Sequence, residues 1–439
     1  MKAWLPLKGV RVLSFELAFA LPAGTKALYD LGAEVVRVTP PAREVEPYIG
    51  ILDGVFQGKS CLSIDLTKEQ GRSVAQALAK KADIVCSNFR PHVLHKYGLG
   101  AQTLREQHPR LITLQLSGYG TPGPYSDYPA FGPSTEAAGG LNRLLAGPDE
   151  IPIRIGSAVF SDQLAGRYAA LAIVAALARR RQTGKGQSID LSMTAGITHM
   201  LGQPVTEALR TGQMSKVPAN RDRRFVPQGV YRAATPDAKS GLNNDEWVAI
   251  SVETDKQWRA LYDLLADAKI NLAQIDRDWD IDARWQHHDQ IDALLNELGQ
   301  QEGKDNLAER LQSVGVPAAP VRTTADQALD SNVRARQMLQ MVKHRTPLLG
   351  YVAHPHPVLP WRISGRTRRR LTPNHHPGED NARVLKDWLQ MNAAGIKRLY
   401  QAGVLHEQAE QELKPRRRRP NYDPEHAQKL GLIESGSTP

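Results

Sequence analysis

Hydrophobic positions in the first part of the chain alternate between short β-branched runs and longer runs with helical spacing. Val10–Phe15 and Glu34–Val38 are typical of strands, and Thr25–Leu31 between them is typical of a helix. A strand, a helix and a second strand in this order indicate a βαβ unit and hence a parallel sheet. The turn Leu17–Gly24 contains no G-x-G-x-x-G sequence, which disfavours binding of a nicotinamide dinucleotide.

The same alternation continues to about residue 193. Further strands are predicted at Leu62–Leu66, Asp83–Ser87, Arg110–Leu116 and Ser188–Met193. Two polar motifs follow strands of this series: Asn88, Phe89 and Arg90 before a proline, and Ser117, Gly118, Tyr119 and Gly120. Ligands of open α/β sheets bind at the carboxyl ends of strands, so both motifs are candidate binding turns. Proline and glycine are equally common in turns with no ligand, and neither motif is specific alone.

A long run of small and aliphatic residues, Ala165–Leu177, predicts a tightly packed helix, and Gly184 is placed to end it. Asp162 precedes this run and has two interpretations. It could cap the helix, because Asp is among the preferred N-cap residues. It could instead be a nucleophile, because the helix dipole favours an ionised carboxylate, which can attack an activated acyl carbon. The two interpretations are compatible.

The hydrophobic pattern also predicts the division of the chain. Residues 1–202 form the first part of a large domain, and 203–226, which are polar and basic without clear periodicity, form a linker. Residues 227–324 are predicted to be a small α+β domain. Residues 325–413 are predicted to end in helices that close the globular part, and 414–439 to be a basic, flexible tail.

Composition narrows the class of protein. The chain has 439 residues, a net charge of +10 and only two cysteines, Cys61 and Cys86. The cysteines are too few for a disulfide framework, and no spacing typical of a metal site exists, so we expect a cytoplasmic protein without a metal. We expect neither a signal peptide nor a membrane span. The basic clusters Arg366–Arg370 and Lys414–Arg419 lack interleaved aromatic residues, which favours solvated charge over nucleic-acid binding.

Several ordered segments together resemble the family III CoA-transferases, which include the formyl-CoA and carnitine CoA-transferases and the α-methylacyl-CoA racemases. The segments that carry the resemblance are PLKGVRVLSF, LGAEVVRV, SIDLTKEQGR, ADIVCSNFRP, HPRLITLQLSGYGTPGPYSDYPAF, SDQLAGRYAALAIVAAL, RRQTGKGQSIDLSM and HHPGEDNARVLKDWL. The resemblance covers about residues 6 to 405. It implies an α/β fold with a Rossmann-like large domain built from both chain ends, a small α+β domain, and two subunits interlocked as a homodimer. In this arrangement residues 325–413 form a return linker and the C-terminal part of the large domain that begins with 1–202.

The resemblance also implies an activity and its residues. The family nucleophile is an Asp in a D-x-x-x-G segment, here Asp162 with Gly166. The implied reaction moves CoA from an acyl-CoA to a carboxylic acid through an aspartyl anhydride and an aspartyl-CoA thioester. CoA is the expected cofactor, as part of the substrate, and no nucleic-acid or membrane partner is implied. The residues expected to bind it are Phe19, Ala20, Asn88, Phe89, Arg90, Lys96, Ser117, Gly118, Tyr119 and Gly120, with Arg43 as a less certain phosphate contact.

Three departures from the family pattern bear on the activity. Thr39 replaces an acidic residue, so the local pairing of that acid is not expected here. Asp237–Glu246 lacks the consecutive glycines of the formyl-CoA transferases, and this difference argues against oxalate as a substrate. Ala130–Glu136 has no His, whereas the racemases use one there as part of an acid/base pair. CoA transfer is therefore the leading expectation. A racemase or isomerase acting on acyl-CoA, and a non-catalytic protein that binds acyl-CoA or nucleic acid, are the alternatives.

Overall fold

A computed structural model describes residues 2–41, 51–145, 151–155, 159–213, 220–235, 245–348 and 351–407. The described residues divide into two compact units. The first unit holds those within Met1–Leu144, Pro152–Ser215 and Ser331–Pro439, and the second holds those within Leu145–Ile151 and Lys216–Asp330. Residues from both ends of the chain therefore build the first unit.

Eleven strands and eighteen helices are named here in chain order. The first part of the chain forms β1 (Arg11–Phe15), α1 (Ala20–Asp30), β2 (Glu34–Thr39), α2 (Ile51–Phe56), β3 (Ser60–Ser63), α3 (Glu69–Ala79), β4 (Ile84–Ser87), α4 (Pro91–His95), α5 (Ala101–Gln107), β5 (Ile112–Ser117), α6 (Gly132–Ala138), α7 (Leu141–Leu144), α8 (Phe160–Thr183), β6 (Ser188–Ser192), α9 (Met193–Met200) and α10 (Gly202–Thr211). The middle forms β7 (Gln228–Arg232), β8 (Trp247–Ser251), α11 (Asp255–Asp267), α12 (Ile281–Gln286), α13 (His288–Gly299), α14 (Lys304–Ser313), β9 (Ala318–Pro320) and α15 (Thr324–Leu329). The last part forms α16 (Ser331–Ala335), β10 (Leu339–Leu348), β11 (Tyr351–Pro357), α17 (Asn381–Leu389) and α18 (Ala393–Gln401).

A six-stranded parallel sheet organises the first unit. Its order is β3-β2-β1-β4-β5-β6, which is the order of doubly wound Rossmann sheets. The chain reverses its direction of winding between β1 and β4, where Phe15 pairs with Ser87. Because ligands of such sheets bind outside the carboxyl ends of the strands at this reversal, the residues after Phe15 and Ser87 lie where a site is expected.

Alternate residues of the central strands face opposite layers. Val12 and Cys86 pack in the layer of α1 and α8, whereas Leu13 and Val85 pack in the layer of α3, α17 and α18. Both faces of the sheet are thus covered by helices, as the near-continuous apolar strands of a parallel sheet require. Cys61 and Cys86 are both buried free thiols.

The second unit is a smaller α+β structure. Its antiparallel sheet has the order β7-β8-β9, and α11, α13 and α14 contribute buried residues to the core beside it. Trp258 on α11 is fully buried in this core. The expectation of a mixed α/β fold with a parallel sheet and a smaller α+β part is therefore confirmed.

At three places the structure differs from the sequence pattern or adds to it. The interval predicted as linker, 203–226, contains most of the ten-residue helix α10. The pattern of Asp326–Met338 predicts a single helix, and this prediction was wrong: the structure has two short helices, α15 and α16, separated at Asp330. The Pro-rich pattern of His354–Ile363 predicts an extended segment, and its first residues are indeed the end of strand β11, whose antiparallel pairing with β10 the pattern does not predict. Among the described residues, no helix has the length and apolar character that crossing a membrane requires.

Candidate active site

The candidate site is organised by the close crossing of α1 and α8. Gly24 and Gly166 face each other there: a Cβ on Gly166 would lie 2.8 Å from the carbonyl oxygen of Ala20 and 2.9 Å from the amide nitrogen of Gly24. A Cβ on Gly24 would similarly lie 2.7 Å from the carbonyl oxygen of Gly166. Gly166 of the D-x-x-x-G segment therefore has a physical role, because it lets the start of α1 approach the first turn of α8.

Asp162 lies in that first turn but does not cap the helix. The N-cap is Val159, which has a left-handed backbone (φ 41°) and makes no capping hydrogen bond through its side chain. Asp162 is the third residue of α8, so the N-cap interpretation was wrong. The helix begins earlier than expected because Phe160 and Ser161 are already helical, and Ser161 is fully buried against α6.

The carboxylate of Asp162 is 8% exposed, and burial is the main cause that raises its pKa to about 6. The negative charge of Glu136 raises this pKa further. Backbone amides of Asp162 itself and of Ala20 lower it, as does Arg154. The helix start thus does not hold the pKa below its usual value, although Asp162 is still mainly ionised at pH 7. Its Oδ2 accepts no hydrogen bond from any residue that the structure describes.

Helix α6 forms one wall around Asp162. A Cβ on Gly132 would overlap Oδ2 of Asp162, so only glycine fits there. The backbone amide of Ser161 donates to Oε1 of Glu136 at 3.2 Å, and Nε of Arg154 lies 3.7 Å from Oε2. The hydroxyl of Ser161 donates to the carbonyl of Gly132 at 3.0 Å. Gly132 and Glu136 were not identified from the sequence as site residues, because about thirty positions separate them from Asp162.

The turn after β1 carries Phe19 and Ala20. Phe19 is buried in a small apolar cluster that Val159 also packs against, so this side chain links the starts of α1 and α8. Asn88, at the end of β4, holds the same turn. It accepts a hydrogen bond from the amide of Leu17 at 2.9 Å and donates one to the carbonyl of Leu17 at 2.8 Å. The structure therefore brings Phe19 and Ala20 to Asp162, and it uses the Asn88 side chain to hold their turn.

A buried ionic network supports this turn from beneath. Nζ of Lys59 donates to Oε1 of Glu16 at 2.8 Å and to the carbonyl of Pro22 at 2.8 Å, and Oε2 of Glu16 accepts from Ser14 and Thr25 at 2.6 Å each. Burial lowers the pKa of Lys59 to about 8, although Glu16 opposes this shift. No local pattern in the sequence signals this network, because its partners come from separate segments.

The remaining predicted residues lie along the ends of β4 and β5. Phe89 makes an edge contact with Phe15 (ring centroids 6.4 Å apart), whereas Arg90 and Lys96 are exposed at the two ends of α4. Within the described part of the chain, no hydrogen bond, ion pair or ring contact joins Arg90 or Lys96 to Asp162. These two cations are therefore available to solvent or to an anionic ligand near the strand ends.

The turn after β5 adjoins α6. The side chain of Ser117 accepts a hydrogen bond from the amide of Gly120 at 3.0 Å, and Gly120 has a left-handed backbone (φ 79°). A Cβ on Gly118 would clash with the side chain of Ala130, just before α6. Tyr119 stands in a cluster with two half-exposed tyrosines, Tyr125 and Tyr128, at centroid distances of 5.7 and 6.1 Å. The turn Ser117–Gly120 therefore contacts both the tyrosine cluster and the start of α6, the helix that packs beside Asp162.

The first unit contains a concavity that is lined by other residues. It has a volume of about 540 Å³, is lined by Asp30 and by several arginines of 362–369, and includes none of the predicted site residues. Arg369 in it donates to the carbonyls of Tyr29 and Ala33 at 2.7 and 3.3 Å. This part of the basic cluster Arg366–Arg370 is therefore engaged within the fold.

Some expectations cannot be placed. Arg43, residues 237–244 and the basic segment 414–439 lie outside the described residues. Within the described ranges, no three His, Cys, Asp or Glu side chains converge as a metal ion would require.

Comparison with known proteins gives a consistent set of matches. The family model described as CoA-transferase family III matches residues 7–381. Succinyl-CoA–D-citramalate CoA-transferase of Chloroflexus aurantiacus is 30% identical over 345 residues, which cover 76% of this chain and 83% of that protein. Acetyl-CoA:oxalate CoA-transferase of Acetobacter aceti is 29% identical over 343 residues, which cover 76% of this chain and 85% of that protein. The crystal structure of a CaiB/BaiF family protein from Brucella suis superimposes with a TM-score of 0.76 at 28% identity, covering 88% of this chain and all of that chain (100%).

Proposed function

Because the chain belongs to CoA-transferase family III and is an enzyme of that family, we propose that it transfers CoA between carboxylic acids with Asp162 as the covalent carrier. The observation that carries this proposal is the state of the Asp162 carboxylate. It is buried, it is mainly ionised at neutral pH, and its Oδ2 accepts no hydrogen bond from the described residues. A carboxylate oxygen without a donor keeps its electron pairs available for attack.

The proposed reaction has four steps in which atoms and charge balance. The Asp162 carboxylate attacks the donor thioester and expels CoA thiolate, which leaves a mixed anhydride. The thiolate then attacks the aspartyl carbonyl, which releases the donor acid and leaves an aspartyl-CoA thioester. The acceptor carboxylate attacks this thioester to form a second anhydride, and the thiolate attacks its acceptor carbonyl. The products are the new acyl-CoA and free Asp162.

Each step passes through a tetrahedral centre that carries an oxyanion. The amide of Ala20 already acts on the Asp162 carboxylate from the start of α1, so it is the proposed donor to this oxyanion. We assign CoA itself to the strand ends. In this assignment Arg90 and Lys96 meet its phosphates, Phe89 borders its nucleotide, and the turn Ser117–Gly120 lies along its pantetheine arm. Gly118 and Gly120 allow close approach of the backbone to that arm.

The matched relatives narrow the choice of substrates for a first test. The Chloroflexus protein is named for succinyl-CoA and citramalate, and the Acetobacter protein for acetyl-CoA and oxalate. We therefore propose succinyl-CoA and acetyl-CoA as donors and small di- and hydroxycarboxylic acids as acceptors, with oxalate disfavoured by the sequence of the loop 237–246. An interlocked homodimer is the proposed assembly, with the family resemblance as its support.

The test is a transfer assay with these donors and isotopically labelled acceptors. Wild-type protein is expected to form labelled acyl-CoA, and the Asp162→Ala variant is expected to form none while still binding CoA. Near-normal turnover in that variant would reject the mechanism. The same assay in deuterated water separates transfer from racemisation, because a racemase would incorporate deuterium at the α-carbon of the acyl group. Retained affinity for DNA at moderate salt, without transfer, would support a binding protein instead.

A further inference from the structure

Helix α6 presents one face to the first turn of α8. Gly132 and Glu136 are four residues apart and therefore lie on the same face of α6. Gly132 contacts the Asp162 carboxylate directly, and Glu136 accepts the amide of Ser161, the residue just before Asp162. Thr135 adds a hydrogen bond to the Ser161 hydroxyl at 3.0 Å. The side chain of Glu136, which is only 1% exposed, is therefore held beside the proposed nucleophile Asp162 by a hydrogen bond from the backbone of α8.

Among the residues that the structure describes, few charged groups surround Asp162. Helix α6 contributes Glu136, and the segment 151–155 contributes Arg154, whose side chain is 41% exposed. The first turn of α1 has no acidic residue and contributes the amide of Ala20. Farther along α8, Arg167 donates to a carbonyl of α1 at 3.5 Å, and His199 of α9 packs on Tyr168.

Glu136 and Arg154 have opposite electrostatic effects on the Asp162 carboxylate, and these effects are unequal. A half-exposed guanidinium is screened by water, whereas a buried carboxylate is not. The Glu16 carboxylate beneath the turn is already compensated by Lys59. Glu136 is consequently the negative charge that acts on Asp162 with least screening.

We propose that Glu136 is an electrostatic positioning residue, which holds the first turn of α8 through Ser161 and favours the covalent states of Asp162 over its free carboxylate. This inference rests on the proposed function. Acylation converts the Asp162 carboxylate into a neutral anhydride or thioester, and so removes the repulsion between two buried like charges. Protonation removes the same repulsion, and both equilibria should therefore respond equally to Glu136.

The test uses Glu136→Gln, which keeps an oxygen to accept the Ser161 amide and loses only the charge. The pH midpoint for formation of the aspartyl-CoA thioester is expected to fall by about 1 unit, a shift typical of one close like charge. The equilibrium constant for thioester formation at neutral pH is expected to fall about 10-fold, because one pKa unit is a factor of ten. Agreement between the two changes is the signature of an electrostatic role.

Controls separate this inference from the proposed function. Glu302→Gln alters a glutamate of the second unit that pairs with Arg310 at 2.8 Å, and it is expected to change neither quantity. Glu136→Ala also removes the hydrogen bond to Ser161, and its stability is expected to fall below that of Glu136→Gln. If wild type forms the thioester and Glu136→Gln keeps its pH midpoint and equilibrium, the role assigned to Glu136 is wrong. If wild type forms no thioester on Asp162, the proposed function itself fails.

Discussion

Replacing Asp162 by Asn should change the stability of the protein in a pH-dependent way. Folding raises the pKa of this carboxyl from 3.8 to about 6, so the folded protein binds its proton more tightly than the unfolded chain does. The stability that this group contributes is therefore fully present below pH 3.8 and is lost as the pH rises through about 6. Since one pKa unit corresponds to about 1.4 kcal/mol, the ionised group costs the fold about 3 kcal/mol at pH 7.

Asparagine cannot ionise and does not carry this cost. We expect the free energy of unfolding of Asp162→Asn, relative to wild type, to increase by about 2–3 kcal/mol between pH 4 and pH 7. Urea unfolding of both proteins, measured side by side across this range, gives the difference. Any constant effect of the amide group cancels, because only the pH dependence is used. Asp282→Asn, at an exposed position of the second unit, is the matched control. A difference between wild type and Asp162→Asn that stays constant with pH would refute the reasoning.

Three further changes test the supports of the site. Gly166→Ala should destabilise the first unit by about 1–3 kcal/mol and slow transfer, because the added Cβ would overpack the start of α1. Gly202→Ala is the control, since a Cβ there meets nothing within 4 Å. Equal unfolding midpoints for the two variants would contradict the predicted destabilisation. Lys59→Met should cost about 3 kcal/mol, because buried Glu16 would lose its closest cation and keep only Arg37, whose Nε lies 3.4 Å away. Unfolding measurements should show partial recovery in the double variant with Glu16→Gln, and no recovery would argue against the pair. Asn88→Ala should raise KM for acyl-CoA about tenfold, equivalent to about 1.4 kcal/mol, because the turn at Leu17 would lose both of its hydrogen bonds to Asn88. An unchanged KM would show that the turn keeps its conformation without the Asn88 side chain.

The parallel sheet could be predicted from the sequence because its strands are short apolar runs separated by helical ones. The predicted strand Glu34–Val38 and the observed β2 differ by a single residue, and the pattern of His288–Gly299 predicts a helix with the bounds of α13. Elements with weaker local patterns were missed. The hairpin of β10 and β11 contains Pro347, Pro355 and Pro357, and proline is not typical of strand interiors. Its pairing is a long-range property that local periodicity does not report.

The candidate site shows the same limit. Asp162 and its relation to Ala20 could be expected from the D-x-x-x-G segment and the family resemblance. The surroundings that set the pKa of Asp162 could not, because Glu136 and Arg154 act on it from other segments of the chain. The dipole argument for a low pKa considered only α8. Burial by the neighbouring helices outweighed it, and burial is known only once the helices are packed.

The most direct test of the account is to locate the covalent intermediate. Protein incubated with succinyl-CoA or acetyl-CoA is quenched, digested and analysed by mass spectrometry, with hydroxylamine treatment of a parallel sample. We expect CoA on the peptide that contains Asp162, its conversion by hydroxylamine to a hydroxamate at Asp162, and neither product in Asp162→Asn. Transfer of CoA by a protein that carries the adduct on another residue, or that never carries one, would contradict the central claim.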